Sequence, residues 1–432
     1  MRWHRLLPLL ALLWAGPANA AAGGADPVAP VLLAMAAVLV VAKLGGEIAT
    51  RLGQPAVLGE LLAGVVLGNL GLAGFHGLAF IASDPGVDLL ARLGVVLLLF
   101  EVGLESTVGQ MLKVGASALV VALLGVVAPF ALGWGVGAWL LPDAGPYVHA
   151  FLGATLCATS VGITARVLRD LGRSESDEAR VILGAAVIDD VLGLVVLAAV
   201  TGAIAAADAG TTMGLGSVGA IVGKAGAFLV GSLVLGVWLS PKLFRVASTL
   251  RTRGVLLAVG LAFCFFLAYV AGVIGLAAII GAFAAGLILE DLHSKDFVDR
   301  GEHSLTELLH PIVGFLSPVF FVLMGMHTDL RAFGQPGVLG LAGALTVAAV
   351  LGKQACSLGV IGRGVDRLSV GFGMVPRGEV GLIFANIGLG LTVSGQPVIS
   401  SAVFSAVVVM VIVTTLVTPP ALRWSLARVR IS

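Results

Sequence analysis

From Val181 to Val200 every residue is apolar or glycine except two, the adjacent acids Asp189 and Asp190. A run of that length is a transmembrane-helix candidate. One acid at mid-bilayer costs about 2.5–3.5 kcal/mol on insertion scales, and two neighbours repel each other as well. Such a pair is either neutralised by a partner or binds protons or a cation as its work. A static ion pair with a basic residue on another helix is the alternative. Intramembrane acids more often mark ion or proton paths.

The rest of the chain is built like this run. It is 59% hydrophobic and 11% charged, with a mean hydropathy of +1.09, a balance that excludes a soluble domain and implies an all-α polytopic membrane protein. Its 60 glycines suit transmembrane helices that pack closely or break. Cys157, Cys264 and Cys356 lie inside apolar segments, and an odd, buried set argues against disulfides or a metal site. Arg2 and Arg5, the apolar stretch Leu6–Trp14 and Ala18-Asn19-Ala20 form a signal-peptide pattern over residues 1–20, with cleavage after Ala20.

Thirteen segments follow, roughly 30–50, 55–70, 86–105, 115–141, 147–171, 178–204, 216–246, 254–271, 273–290, 309–328, 337–362, 367–391 and 398–424, with a tight joint at Gly272. The tail to Ser432 is short, so no soluble regulatory domain is expected. If the first segment starts outside, the cytoplasmic loops hold Arg51, Lys113, Arg166, Arg169, Arg173, Arg180, Lys242, Arg245, Arg251 and Arg253. They also hold Lys295, Arg300, Arg363, Arg367, Arg423, Arg428 and Arg430, whereas the opposite loops hold only Arg331. That asymmetry sets orientation and supports the parity of the count.

Thirteen divides as six, one and six. The membrane domain, 28–427, then splits into repeat one at about 28–204, a linker helix at about 216–246 and repeat two at about 254–427. An offset of seven segments inverts the second copy, the usual build of secondary transporters. The fifth and twelfth segments match in being interrupted, by Cys157-Ala-Thr-Ser-Val-Gly162 in one and Pro376-Arg-Gly-Glu379 in the other. Paired broken segments point to a binding site at the bilayer midplane. Asp190 lies about 13 residues, or ~20 Å, from the cytoplasmic start of its segment, and Lys353 about 10 residues, or ~15 Å, from the cytoplasmic end of its own. Two acids, one lysine and two crossed, discontinuous helices are therefore expected at one level.

Asp189 and Asp190 point about 100° apart on a helix, so they cannot both face one ligand. Asp189 is expected to pair with Lys353, which a carboxylate would hold charged, and Asp190 to face the cavity. Thr159 and Ser160 offer hydroxyl oxygens, and Arg377 and Glu379 would offset the half-helix dipoles. Hard oxygen ligands suit Na+, Li+ or K+, bound transiently at Asp189 and Asp190. No cofactor and no nucleic-acid partner are expected. Glu60, Arg92, Glu101 and Glu105 are expected to tie helices or lie near the interface, and Lys43, Glu47 and Lys224 to snorkel. His303, His310 and His327 are pH-sensing candidates, with solvated histidine as the plainer reading.

The chain resembles a bacterial member of the second monovalent cation:proton antiporter family, within the sodium/proton exchanger superfamily. The matching stretches are Pro55-Ala-Val-Leu-Gly-Glu-Leu-Leu-Ala-Gly64, Leu98-Leu-Phe-Glu-Val-Gly-Leu-Glu105, Ala158-Thr-Ser160, Ile188-Asp-Asp-Val191, Pro318-Val-Phe-Phe321 and Pro376-Arg-Gly-Glu-Val-Gly381. Adjacent aspartates with a lysine on another helix look like the electrogenic sodium/proton branch. The resemblance implies that Asp190 carries ion or proton while Asp189 pairs with Lys353. It also implies a homodimer, an elevator-like core movement and a multi-pass protein of the bacterial inner membrane. Sodium/proton exchange, not enzyme chemistry, is the expected activity, with potassium/proton exchange as the alternative. A cation channel and an intramembrane aspartyl protease are remote rivals. The protease needs two acids facing each other from separate helices, which neighbours on one helix cannot supply.

Overall fold

A computed structural model describes the protein at residues 28–105, 115–171, 173, 176–210, 215–247, 249–250, 252, 254–289, 304–335, 337–361 and 364–428. The leader with its cleavage after Ala20 lies outside these residues. So do Lys113, Arg251, Arg253, Lys295, Arg300, His303, Arg363 and Arg430, and the side chains of Arg166, Arg169 and Glu379.

The chain is helical because lipid offers no partner for a free backbone N–H or C=O. The helices are α1 (Val28–Arg51), α2 (Ala56–Gly68), α3 (Pro85–Glu105), α4 (Ala116–Leu140), α5 (Gly145–Thr155), α6 (Val161–Asp170), α7 (Asp177–Asp208) and α8 (Leu215–Ala247). They continue as α9 (Val255–Val273), α10 (Ala278–Ile288), α11 (Leu305–Met326), α12 (Val338–Gln354), α13 (Arg367–Gly373), α14 (Gly378–Leu389) and α15 (Ser401–Arg428). Among the described residues, eight helical stretches are long and apolar enough to cross a membrane, and shorter apolar helices join them. This is an all-α polytopic membrane protein. Each of the thirteen expected segments contains a helix, and the fifth and twelfth are each split in two, α5/α6 and α13/α14.

Two compact units make up the chain, one of residues 1–95 and 313–335 and the other of 96–312 and 336–432. In the first, glycines let helices touch backbone to backbone. A Cβ on Gly45 of α1 would overlap the Gly59 carbonyl of α2, and one on Gly64 would overlap the Val322 carbonyl of α11. Asn69 ties two loops, donating to the Thr328 carbonyl at 2.7 Å and accepting from the Leu330 amide at 3.0 Å. Glu60, which is buried, faces Lys43 at 4.0 Å.

In the second unit α7 is packed by α4, α5, α6, α8 and α13. Ala118, Val121 and Ala122 of α4, Ile182, Ala185 and Ala186 of α7, and Cys356, Val370 and Met374 form one core cluster. On α4, Val121, Gly125 and Pro129 recur every four residues and so share one face. Gly359 abuts Val121, and a Cβ on Gly352 would sit 2.8 Å from the Pro129 Cα.

Hydrogen bonds tie segment ends together at two levels. Asp208 Oδ1 accepts from the Ser394 amide at 2.8 Å, and the Lys224 ammonium donates to the Ile274 carbonyl at 2.9 Å. At the other ends of the segments, Glu178 accepts from the Asp366 amide at 3.1 Å and Ser117 from the Ile361 amide at 3.0 Å.

Three expectations need correction. The joint between α9 and α10 is at Ile274–Ala277, not Gly272: Gly275 adopts φ +82°, which glycine tolerates without strain, while Gly272 stays helical. Between α14 and α15, outside the expected segments, the loop forms a small hairpin of β1 (Thr392–Val393) with β2 (Gln396–Pro397). Ser394 and Gly395 turn it, both at positive φ, as the twist of a tight hairpin requires. Gly162 and Glu379 lie within α6 and α14, so the breaks are Leu156–Ser160 and Met374–Arg377. Lys353 is in the last turn of α12, before a 3-10 turn at Ala355–Gly359, where a cation favours the helix C-terminus.

Candidate ion-binding site

The site grows from the two breaks. A helix that stops inside a bilayer leaves carbonyls at one end and amides at the other without partners. Here each break satisfies the other. The Ser160 amide donates to the Pro376 carbonyl at 2.8 Å, so the proline that ends one helix supplies the acceptor that starts the other. The Thr164 hydroxyl donates to the Gly373 carbonyl at 2.6 Å, and Thr159 Oγ1 to the Met374 carbonyl at 3.4 Å. Gly378, the first residue of α14, lies so close to Ser160 that a Cβ there would fall 2.5 Å from its Oγ.

Arg377 lies in the crossing with no solvent exposure. Its guanidinium donates to the Ala158 carbonyl at 3.1 Å, the Met374 carbonyl at 3.4 Å and the Ala349 carbonyl at 3.4 Å. The first two lie just past the C-terminal ends of interrupted helices, where partial negative charge collects. The planar, forked guanidinium reaches several carbonyls at once, which a lysine ammonium does not.

Beside the crossing, the Lys353 ammonium lies 2.9 and 3.0 Å from the two carboxylate oxygens of Asp189, and neither side chain is exposed. The Thr159 hydroxyl of the first break lies close to this carboxylate, so α7, α12 and the first break meet around one acid. Asp190, 7% exposed, is the next residue and points about 100° further round α7. The arrangement thus brings together Asp189, Lys353, Thr159 and Arg377, with Ser160 bonded into the crossing and Asp190 next along α7. Glu379 is the second residue of α14, and its side chain lies outside the described residues.

Three residues at the site are given no role there by the sequence. Cys356 and Gly125 border the ion pair: a Cβ on Gly125 would fall 3.0 Å from Cys356 Sγ, 3.3 Å from Lys353 Nζ and 3.4 Å from Asp189 Oδ1. Cys157 fills the first break and donates to the Val126 and Gly153 carbonyls. A cysteine in an apolar run has the same pattern as any small core residue. Glu101 and His310, expected as separate features, pair at 3.0 Å, with the histidine side chain 79% exposed.

Crossed, mutually capped half-helices with a buried ion pair beside them define a class, the secondary transporters built on discontinuous helices. Comparison with known proteins narrows it. The family model described as "Sodium/hydrogen exchanger, transmembrane" matches residues 36–428, and the chain belongs to that family. It is 37% identical to the high-affinity Na+/H+ antiporter NhaS3 of Synechocystis sp., over 96% of this chain and 95% of that one. It is 36% identical to the Na+/H+-K+ antiporter GerN of Bacillus cereus, over 90% of this chain and 95% of that one. The fold superposes on the sodium proton antiporter MjNhaP1 of Methanocaldococcus jannaschii with a TM-score of 0.70 and 16% identity, covering 93% of this chain and 99% of that one.

Proposed function

We propose that the protein exchanges cytoplasmic Na+, or Li+, for external protons across the bacterial inner membrane. One observation carries the reading: a fully buried Asp189–Lys353 pair beside two crossed helix breaks, with a second acid, Asp190, next in sequence. A carboxylate holds a proton or a metal cation, not both. Competition for Asp190 couples the two fluxes, because the site crosses loaded with one or the other. Thr159 and Ser160 hydroxyls and the carbonyls of the breaks are hard oxygen donors suited to an alkali cation. Arg377 and Glu379 balance the half-helix dipoles around that cation.

Asp189 and Lys353 add a second titration. While Asp189 is ionised it holds the ammonium. Once it takes a proton or cation, the lysine is released and loses its own proton. If two protons exchange for one Na+, each cycle moves one net charge, worth about 2.3 kcal/mol per 100 mV, and the membrane potential drives sodium out. The protein works as a homodimer, its leader removed after Ala20, with residue 21 outside and Ser432 in the cytoplasm. These points rest on the resemblance, on the signal-peptide pattern and on the distribution of Lys and Arg.

A K+/H+ reading is favoured by one observation, that the relative GerN is a Na+/H+-K+ antiporter. Purified protein in proteoliposomes carrying a proton gradient, given Na+, Li+ or K+ in turn, distinguishes the two. Proton release with Na+ and Li+ is expected. Release with K+ alone moves the assignment to potassium, and cation flux without obligatory proton movement makes the protein a channel.

A further inference from the structure

Helix α8 is 33 residues long. At that length it spans about 50 Å, whereas the hydrocarbon of a bilayer is about 30 Å thick, so its last turns reach the headgroups. There Trp238 is 64% exposed, and Lys242, one turn on, sets its ammonium 3.3 Å from the centre of the indole ring. Leu239, Leu243 and Val246 are exposed beside them, and so is Arg245. The end of α15 repeats the device: Trp424 is exposed, and the Arg428 guanidinium lies 4.8 Å from its ring. Exposed tryptophans on transmembrane helices settle at the membrane–water interface. Charge sets these two corners apart from the other loops on the same face. Residues 166–180 carry four arginines and four acids, and residues 290–303 two cations and five acids. From residue 209 to 289 the chain has no acid, while Lys242, Arg245, Arg251 and Arg253 fall within twelve residues. No acid follows Glu379, and Arg423, Arg428 and Arg430 cluster about the end of α15. A rule that counts only Lys and Arg accounts for the side of the membrane, not for the missing acids.

We propose that the cytoplasmic ends of α8 and α15 are binding sites for the headgroups of anionic phospholipids. The lipid phosphate supplies the counter-charge that the chain omits, since Lys and Arg clustered beside a transmembrane helix attract acidic lipids. Each ring holds its cation at headgroup depth by a cation–π contact, so less side-chain freedom is lost when a phosphate docks. The indole N–H adds a donor, and Leu239, Leu243 and Val246 meet the acyl chains. On α8 the lipid anchors the helix expected to link the two repeats. On α15 it anchors the helix whose Trp424 ring packs edge-on against Phe372 of α13, just before the second break. The inference goes beyond the exchange reading and holds whichever cation is carried.

The two tryptophans report on their own surroundings. Two full-length proteins are made, one keeping only Trp238 and one only Trp424, with Phe at the other tryptophans. Each is placed in phosphatidylcholine vesicles containing phosphatidylglycerol with brominated chains, which quenches an indole that it touches. Phosphatidylglycerol is expected to outcompete phosphatidylcholine at both rings. Lys242→Gln and Arg245→Gln should each lower that preference at Trp238 roughly fivefold and leave Trp424 unchanged, and Arg428→Gln should do the reverse. Lys242→Arg should keep it, and so should Arg180→Gln in the charge-balanced loop. Equal quenching by the two lipids, a preference that survives Lys242→Gln with Arg245→Gln, or a loss that appears equally at both rings overturns the assignment. Displacement of the lipid by inorganic phosphate at constant ionic strength overturns it too, in favour of a free-anion site. Native mass spectrometry of the protein with all its tryptophans is the second measurement. Fewer phosphatidylglycerol molecules retained by Lys242→Gln with Arg245→Gln support the sites, and equal numbers leave the cations to set orientation alone.

Discussion

Asp190 and Asp189 differ by one position and by what touches them. Asp189 is held by an ammonium at 2.9 and 3.0 Å, so its charge is committed until that partner moves. Asp190 is assigned the transported ion or proton. Asp190→Asn keeps shape and volume but no longer titrates. The expected result is a folded protein whose sodium-driven proton release is abolished, checked in proteoliposomes beside a circular-dichroism spectrum. Retained release would falsify the assignment. The pair itself has a signature in stability. Removing one partner of a buried ion pair leaves an uncompensated charge, worth about 3–5 kcal/mol, whereas removing both is far cheaper. Lys353→Met should therefore lower the melting temperature in detergent markedly, and Lys353→Met with Asp189→Asn should recover most of the loss. Equal melting temperatures for the single and double variants would mean that the pair is not an energetic unit.

At the scale of elements, the crossing is held by hydrogen bonds to main-chain carbonyls, given by the Ser160 amide and by the Thr159, Thr164 and Arg377 side chains. Gly378→Ala tests this, since its Cβ would fall 2.5 Å from Ser160 Oγ and 2.6 Å from Ser160 Cβ. The two breaks must then separate, stretching the 2.8 Å bond from Ser160 to Pro376. Exchange is expected to fall by roughly tenfold or more, as overpacking of a fitted contact typically costs about 1–3 kcal/mol. Wild-type rates would show that the breaks tolerate separation. Much of this level is legible in sequence, because a bilayer makes every broken helix conspicuous. Pro376 and Arg377 in an apolar run have no reading as a continuous lipid-facing helix, and Asp189–Asp190 announce themselves for the same reason. What depends on three-dimensional contact is not legible. Gly125 looks like the other glycines until Lys353 is placed beside it. The Gly275 turn and the Ser394–Gly395 hairpin are short-range backbone choices that hydropathy does not see, and the Glu101–His310 pair joins residues with no local relation.

For the whole molecule, the loops carry the orientation. Ala209 follows α7 and Thr249 follows α8, and both are exposed. In intact cells Ala209→Cys should react with an impermeant thiol reagent and Thr249→Cys only after permeabilisation; the opposite pattern inverts the assignment of faces. The three native cysteines are all buried, two of them, Cys157 and Cys356, beside the crossing and the ion pair. The natural chain is thus already a quiet background for single-site labelling. It also carries its own reporters. A thiol that reagents cannot reach at rest becomes a clock for each opening of the interior, so modification of Cys157 or Cys356 by a small permeant reagent should accelerate when Na+ and a proton gradient drive turnover. Mass spectrometry of the modified protein reads that rate, and a rate indifferent to turnover would mean that the water-filled stage of the cycle never reaches these two sulfurs.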